Sequence, residues 1–403
     1  MLTESEPHFR QPLRRTPFHE RSRALSQVDS FVAWGGYTTV DVFTTLEQEY
    51  FALRNAATLY DLTPMAKYRI AGRDATRYLD RLLTREVRKL VAGKVAYALW
   101  CDDAGHLIDD GTLFVLGAEE YRLCTGEPQL DWLLDSAIGF DVEIAEVTDE
   151  IAALALQGPI SCAILRALGL SVETLRPFEF MRCMPRIDGS DCELTVSRTG
   201  FTGDLGYELW MRPGDAETLW DALMHAGRAR GLRPMGSRAL NLARIEAGLL
   251  LPNVDFVSAL RTLRSGTARS PLELGLDALV HWEKGHFTGR RALLAETQRG
   301  VARRLVGLDI DGLKPAHNAL LYADRAGKRP IGSITSAAWS PTCKRNLAFG
   351  MVDAPHFSPG SELWAEIYLN RELVWERRMV RAHIVERTFF APTRRRATPP
   401  ADF

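Results

Sequence analysis

Val95-Ala96-Tyr97-Ala98-Leu99-Trp100-Cys101 and Leu107-Ile108-Asp109-Asp110-Gly111-Thr112-Leu113-Phe114-Val115 read as two strands around the polar turn Asp102-Asp103-Ala104-Gly105-His106. A third strand is predicted at Tyr121-Arg122-Leu123-Cys124. Strands joined by turns this short pair antiparallel, since a parallel pair needs a crossover of a dozen or more residues. Neighbouring residues on a strand point to opposite faces. One of Asp109 and Asp110 is therefore expected to face inward and the other water. Whichever of the two faces inward, a strand carboxylate near the aromatic Tyr97 is a candidate site.

Outward from this hairpin, helices and strands alternate without a regular βαβ period. Residues 44–62 (TTLEQEYFALRNAATLYDL) start as an amphipathic helix and run into a strand. Leu79, Leu82 and Leu83 fall at helical spacing in residues 75–87, a helix lying on a sheet. Ala153–Gln157 ends a strand at Gly158-Pro159, and a helix follows. Residues 216–231 form a well-patterned helix ended by Gly231, and 237–248 another. From about Ala302 the pattern changes to short, evenly spaced strands, the mark of a small all-β domain. The reading is α+β, mainly antiparallel. It comprises an N-terminal arm (1–27), an α+β region of two intertwined domains (28–298), a β-barrel domain (299–386) and a tail (387–403). The arm, and a tail carrying Arg394, Arg395 and Arg396, are expected to lie solvated on the surface.

Composition narrows the function classes. In 403 residues, 50 lysines and arginines balance 51 aspartates and glutamates, a net charge of −1. A nucleic-acid or anionic-membrane binder would need a basic excess. No apolar run approaches the roughly 18 residues of a membrane span, and no secretory signal is read at the N-terminus. The six cysteines form no C-x-x-C pair and read as reduced, buried thiols of a cytoplasmic protein. The histidines have no ligand spacing, so no metal is expected.

Two further constellations carry chemistry. Gly200, Gly203 and Gly206 follow G-x-x-G-x-x-G spacing and precede a strand, so no helix N-terminus waits there for a phosphate. Phe201 among those glycines, with Glu208 opening the next strand, suits a flat heterocycle carrying N–H donors. Residues 334–342 read as a small-residue loop around Trp339, a turn or a lid.

In order, LYDLTPM, KVAYALWCDDAGHLIDDGTLF, ALQGP, SRTGFTGDLGYEL, ARIEAGL, HFTGRRAL and GSITSAAWSPT make the chain resemble the glycine cleavage T-protein (aminomethyltransferase) superfamily over roughly residues 28–385. The resemblance implies a three-domain cloverleaf around a central folate hole, with tetrahydrofolate as the cofactor. It places Asp110 at the folate as the catalytic residue. Tyr97, Phe178, Phe201, Glu208 and Trp339 join it as cofactor-binding residues. Arg238 falls on the family's folate arginine when the helix is counted forward from Gly236. Counted back from Arg244-Ile245-Glu246, Leu240 falls there instead.

The family's D-V-S-H-M is Asp61-Leu62-Thr63-Pro64-Met65 here, and Ser30-Phe31-Val32-Ala33-Trp34 lacks its substrate-side aspartate. Other features look more like the tetrahydrofolate-dependent demethylases, of dimethylsulfoniopropionate or of vanillate and syringate. The expectation is therefore a demethylase that moves a methyl group from a small S-, N- or O-methylated donor to N5 of tetrahydrofolate. Trp34 and Tyr37 would wall the donor side, and no lipoyl carrier protein is expected as partner. The alternatives are an aminomethyltransferase and a non-catalytic folate-binding protein. The oligomeric state is not legible.

Overall fold

The computed structural model describes residues 12–264 and 266–400. It is a mixed α+β molecule with mainly antiparallel sheets and a closed six-stranded C-terminal barrel. The predicted hairpin forms as Val95–Cys101 and Leu107–Val115, and Glu120–Thr125 adds the third strand. With Ala66–Ala71 and Glu143–Glu146 they make a five-stranded sheet. Helices Ala75–Leu82 and Leu130–Ser136 cover one of its faces, burying Tyr68, Tyr78, Leu79, Trp100 and Leu133.

A six-stranded sheet runs in the order Phe180–Cys183, Leu194–Ser197, Gly206–Met211, Ala152–Gln157, Thr58–Asp61, Arg233–Pro234. Helices Ser161–Ala167 and Ala216–Arg228 close its outer face. The inner faces of the two sheets meet in a third apolar cluster that includes Tyr60, Val95, Phe114, Cys124, Ala155, Phe180 and Trp210. Helix Leu46–Asn55 begins at Thr45, whose side chain accepts a hydrogen bond from Gln48 N at 3.2 Å. It packs against helix Ser237–Glu246 beside this seam.

Three expectations are corrected. The N-terminal arm is not merely laid over the surface. Arg14–Arg15 pairs in parallel with Tyr37–Val42, and Phe18 is fully buried against Trp220. Residues 1–11 of the arm lie outside the described residues. The segment around Trp339 is no loop: Pro330–Ser340 is a barrel strand, because its small residues alternate into the wall against Arg345–Asp353. The arginine-rich tail is docked. Arg394 makes a two-pronged ion pair with buried Asp204, at 2.6 and 2.8 Å, and Arg198 donates to Ala397 O at 2.6 Å and Thr398 Oγ1 at 2.7 Å.

Candidate functional site between the two sheets

Strand register sets out the seam residue by residue. Across the six-stranded sheet, Phe180 faces Ser197, Ser197 faces Glu208, Glu208 faces Ala155 and Ala155 faces Tyr60, so these side chains share one row. Across the five-stranded sheet the matching row is Tyr97, Thr112, Cys124 and Lys67. Phe114 joins the two surfaces, 5.5 Å from Phe180 and 5.3 Å from Trp210 between ring centres.

Tyr97 donates its hydroxyl to Asp110 Oδ2 at 2.5 Å. Burial pushes the Asp110 carboxyl up to about 6, and the hydrogen bond from Tyr97 holds it from rising further. Burial, with the Asp110 charge added, takes the Tyr97 hydroxyl well above its ordinary range. The two aspartates do point apart, but Asp109 does not face water. It is buried in the helix-covered core, where Gln129 Nε2 donates to it at 2.9 Å. Both faces of this sheet are covered, so alternation puts neither carboxylate in open solvent. Burial and the neighbouring Asp110 charge push Asp109 upward in turn.

Glu208 is buried and accepts from Thr199 Oγ1 at 2.5 Å through Oε2. Desolvation raises its carboxyl to about 7, opposed by the Thr199 hydrogen bond and the positive charge of Arg122. Its Oε1 has no hydrogen-bond partner among the described residues. The glycine spacing that delivers this strand has a steric cause. The Gln157 side chain threads the loop, giving Nε2–H to Thr199 O at 3.2 Å and Tyr207 O at 3.3 Å and accepting from Thr202 at 2.9 Å. A Cβ at Gly200 would come within 2.0 Å of Gln157 Oε1. Gly203 adopts φ +73°, the left-handed region that glycine enters without strain.

Trp34 spans the seam. Its indole N–H donates to Gly126 O at 3.1 Å beside one sheet, and its ring lies 6.3 Å from that of Tyr60 on the other. Tyr37 is less available: its hydroxyl bonds Asp149, and the Arg14 guanidinium lies 4.1 Å over its ring. Phe178 stands at a positive φ of 61°, 44% exposed, where its carbonyl accepts from Val95 N at 2.8 Å. No ring contact or hydrogen bond among the described residues ties the half-buried Phe201 or Trp339 to the two rows.

Arg238 is a correction. It is 64% exposed and pairs with Asp41 at 2.7 Å, on the outside of its helix. Two residues on, about 200° around the helix, Leu240 packs against the seam cluster with Ala239 and Ala243. The forward count thus puts its residue on the outside of the helix, and the backward count puts Leu240 at the seam. Arg244 and Glu246 turn elsewhere, to Asp255 and to Arg54 respectively.

Three contributors were not read from the sequence. Tyr60 looked like an ordinary strand residue, and Gln157 announced itself only through the glycines that make room for it. The third, Arg122, was lost in a predicted strand. It is buried, with its guanidinium carbon 4.4 Å over Phe114 and 4.5 Å over Trp210.

Family models match both halves of the chain: the GCVT N-terminal domain over residues 19–284 and the glycine cleavage T-protein C-terminal barrel domain over 303–390. The chain belongs to the glycine cleavage T-protein family. It is 32% identical over 384 residues to an aminomethyltransferase of Caldanaerobacter subterraneus subsp. tengcongensis, covering 94% of this chain and 96% of that one. It is also 32% identical to a trimethylamine-oxide aldolase of Ruegeria pomeroyi, over 87% of this chain but 44% of the longer relative. Among solved structures, glycine cleavage system aminomethyltransferase T from Bartonella henselae superposes with a TM-score of 0.81 at 25% identity, over 94% of this chain and 98% of that one.

Tetrahydrofolate is the family's cosubstrate. The seam fits it on its own terms. It offers a buried carboxyl with a free oxygen at Glu208, a second carboxyl at Asp110 and a flat aromatic wall at Trp34 and Tyr60.

Proposed function

We propose that this chain is a tetrahydrofolate-dependent one-carbon transferase whose donor is a small methylated molecule, a demethylase in its usual direction. The observation that carries the reading is the Tyr97–Asp110 pair facing the seam, with Glu208 on the sheet opposite. Tetrahydrofolate supplies the amine that accepts the one-carbon unit. Asp110, titrating at about 6, can hold a proton near neutrality and release it at little cost. Tyr97 occupies Oδ2 and so directs the chemistry to Oδ1. Glu208 Oε1 would hold ring N–H donors, and Trp34 with Tyr60 would fix the ring plane. Arg54 and Arg244 are neutralised in buried pairs, so neither competes for these carboxylates.

The donor side supports a small substrate. Leu240 removes a cation from the inner face of its helix. The Thr63–Met65 turn is locked from behind by Lys67, whose ammonium group donates to Thr63 O at 2.8 Å and Met65 O at 2.9 Å. Pro64, in the place of the family histidine, has no backbone N–H to offer a donor. Trp34 belongs to the segment that lacks the family's substrate-side aspartate, and an aromatic face attracts sulfonium or quaternary ammonium groups. Phe178, Phe201 and Trp339 would line the approach. A second reading, aminomethyl transfer from a lipoyl carrier protein, is favoured by the relatives named aminomethyltransferase.

The test is incubation with tetrahydrofolate and a panel of methylated sulfonium, amine and aryl ether donors, run beside aminomethylated carrier protein. Formation of 5-methyltetrahydrofolate from a small donor, reduced on the order of 10²-fold in Asp110→Asn, is the expected result. Turnover of the carrier protein at the rate of an established aminomethyltransferase would favour the second reading.

A further inference from the structure

Arg122 is unexplained by anything above. It is 6% exposed, yet its Nε and Nη2 have no hydrogen-bond partner. The Cys124 thiol, two residues along the same strand, interacts with the guanidinium group but leaves those two nitrogens free. Nε–H and the adjacent Nη2–H form one edge of the guanidinium fork, the edge that meets acceptors side by side. Burying such an edge without partners is costly, and buried polar groups are rarely left so. The stack between Phe114 and Trp210 accommodates the charge but supplies no acceptor.

The position of this edge is informative. Trp210 lies two residues beyond Glu208 on the same face of the strand, and Arg122 stacks on Trp210. Arg122 acts on the Glu208 carboxylate through space, while its Nε and Nη2 stay without a partner among the described residues. An unpaired acceptor on one sheet and an unpaired pair of donors reaching across from the other therefore lie in the same seam. Their pattern asks for a ligand edge on which N–H donors are followed by a carbonyl oxygen. A 2-amino-4-oxopyrimidine has that order: the 2-amino group and N3–H suit Glu208, and O4 comes next.

We propose that Arg122 is a specificity-determining residue that reads the 4-oxo group of the bound pterin while Glu208 takes its 2-amino and N3–H donors. This rests on the folate pocket of the function proposed above, not on the identity of the methyl donor. With a 4-amino group instead, a donor faces the Arg122 donors and neither is satisfied; the neutral ring also loses the N3–H that Glu208 accepts, so only the part of the preference that Arg122→Met removes belongs to Arg122. Sites built around a polar partner reject analogues that lack it far more sharply than apolar pockets do.

The experiment is calorimetric titration of tetrahydrofolate and its 4-amino analogue, at a pH high enough to keep the diamino ring neutral. Wild type, Arg122→Met and Arg122→Gln are compared. Wild type is expected to prefer the 4-oxo ligand. Arg122→Met keeps an apolar stem between Phe114 and Trp210 and should shrink that preference by about tenfold or more, the worth of one hydrogen bond to a charged group. An aromatic pillar with no ligand contact would weaken both ligands equally. A ratio that stays within about twofold in the folded variants, or equal binding of the two ligands by wild type, overturns the proposal. The wild-type comparison needs no variant to fold. Failure of wild type to bind either pterin overturns the folate reading itself, whereas tight, unselective binding overturns the reading of this ring edge by Arg122 and Glu208 but leaves the folate reading standing.

Discussion

Asp109 and Asp110 illustrate how much one residue of register decides. The same two-residue alternation sends one carboxylate to Gln129 in a closed core and the other to Tyr97 at the seam. That they diverge was legible in the sequence, whereas the choice of Asp110 as the one beside Tyr97 came only from the family resemblance. That Asp109 is itself buried was not legible, because whether a sheet face is covered depends on elements dozens of residues away. Glu208 gives a residue-scale prediction. Its carboxyl stands at about 7 in the folded protein against an ordinary 4.5. Between those values the folded state binds the proton that the unfolded state has released. Stability contributed by this group is therefore lost as pH rises from about 4.5 through 7. The gap is on the order of 3 kcal/mol. Glu208→Gln removes the titration, so its melting temperature relative to wild type should climb across that pH range. A constant difference between pH 5 and pH 8 would show that the carboxyl is not held neutral by burial.

At the scale of the element, the clearest agreement lies where pattern and packing coincide. The helix at residues 46–55 follows its hydrophobic period because one of its faces is buried, and the hairpin strands are apolar along most of their length because both faces of their sheet are covered. The disagreements lie where a side chain overrides the local pattern. Small residues around Trp339 look like a loop until they are placed against a neighbouring strand, where their size lets the barrel wall close. The helix at residues 237–246 offers two registers in sequence, and only the packing of Ala239, Leu240 and Ala243 selects one. The glycine loop carries a prediction at this scale. Gly200 and Gly206 leave space for Gln157, and the loop's hydrogen bonds converge on that amide. Gly200→Ala should expel the amide, leave its buried polar partners unmet and move Glu208. A stability loss of about 1–3 kcal/mol, with weakened tetrahydrofolate binding, is expected from urea unfolding and titration. Restoration of the stability by Gln157→Ala in the same chain would confirm the steric cause. An undisturbed Gly200→Ala protein would mean that the loop tolerates the methyl group and that the spacing has another origin.

The whole molecule is held together by charges that no local reading could connect. Glu246 ends one helix. Its Oε1 accepts from Tyr50 at 2.6 Å and from Ser340 of the barrel, and its Oε2 meets Arg54 at 2.5 Å. Its backbone carbonyl accepts from Phe389 N at 2.9 Å and Phe390 N at 2.8 Å, which docks the tail. Arg54 lies 4.4 Å over the Phe390 ring and shares Asp204 with Arg394. Two helices, the glycine loop, the barrel and the tail thus meet at one buried cluster, and the basic tail read as solvated from composition is a clasp. Its partners lie up to 340 residues away in sequence, which is why charge counting along the chain missed it. Glu246→Ala would leave Arg54, 4% exposed at its side chain, with Asp204 alone to balance it. Removing one member of a buried pair typically costs 3–5 kcal/mol because the remaining charge stays desolvated. Some of that is relieved here, since Asp204 still faces Arg54, so a loss of about 2–4 kcal/mol is expected. The same change frees Ser340 and Tyr50, so limited proteolysis should cut the tail near residue 390 sooner in the variant. Pairing Glu246→Ala with Arg54→Met, which removes the stranded cation, should recover part of the loss if the ion pair is its cause. If the single variant melts within a degree of wild type and its tail is cut no faster, the cluster is not what joins the barrel to the sheets, and the apolar contacts around Phe349 and Phe389 carry that role instead.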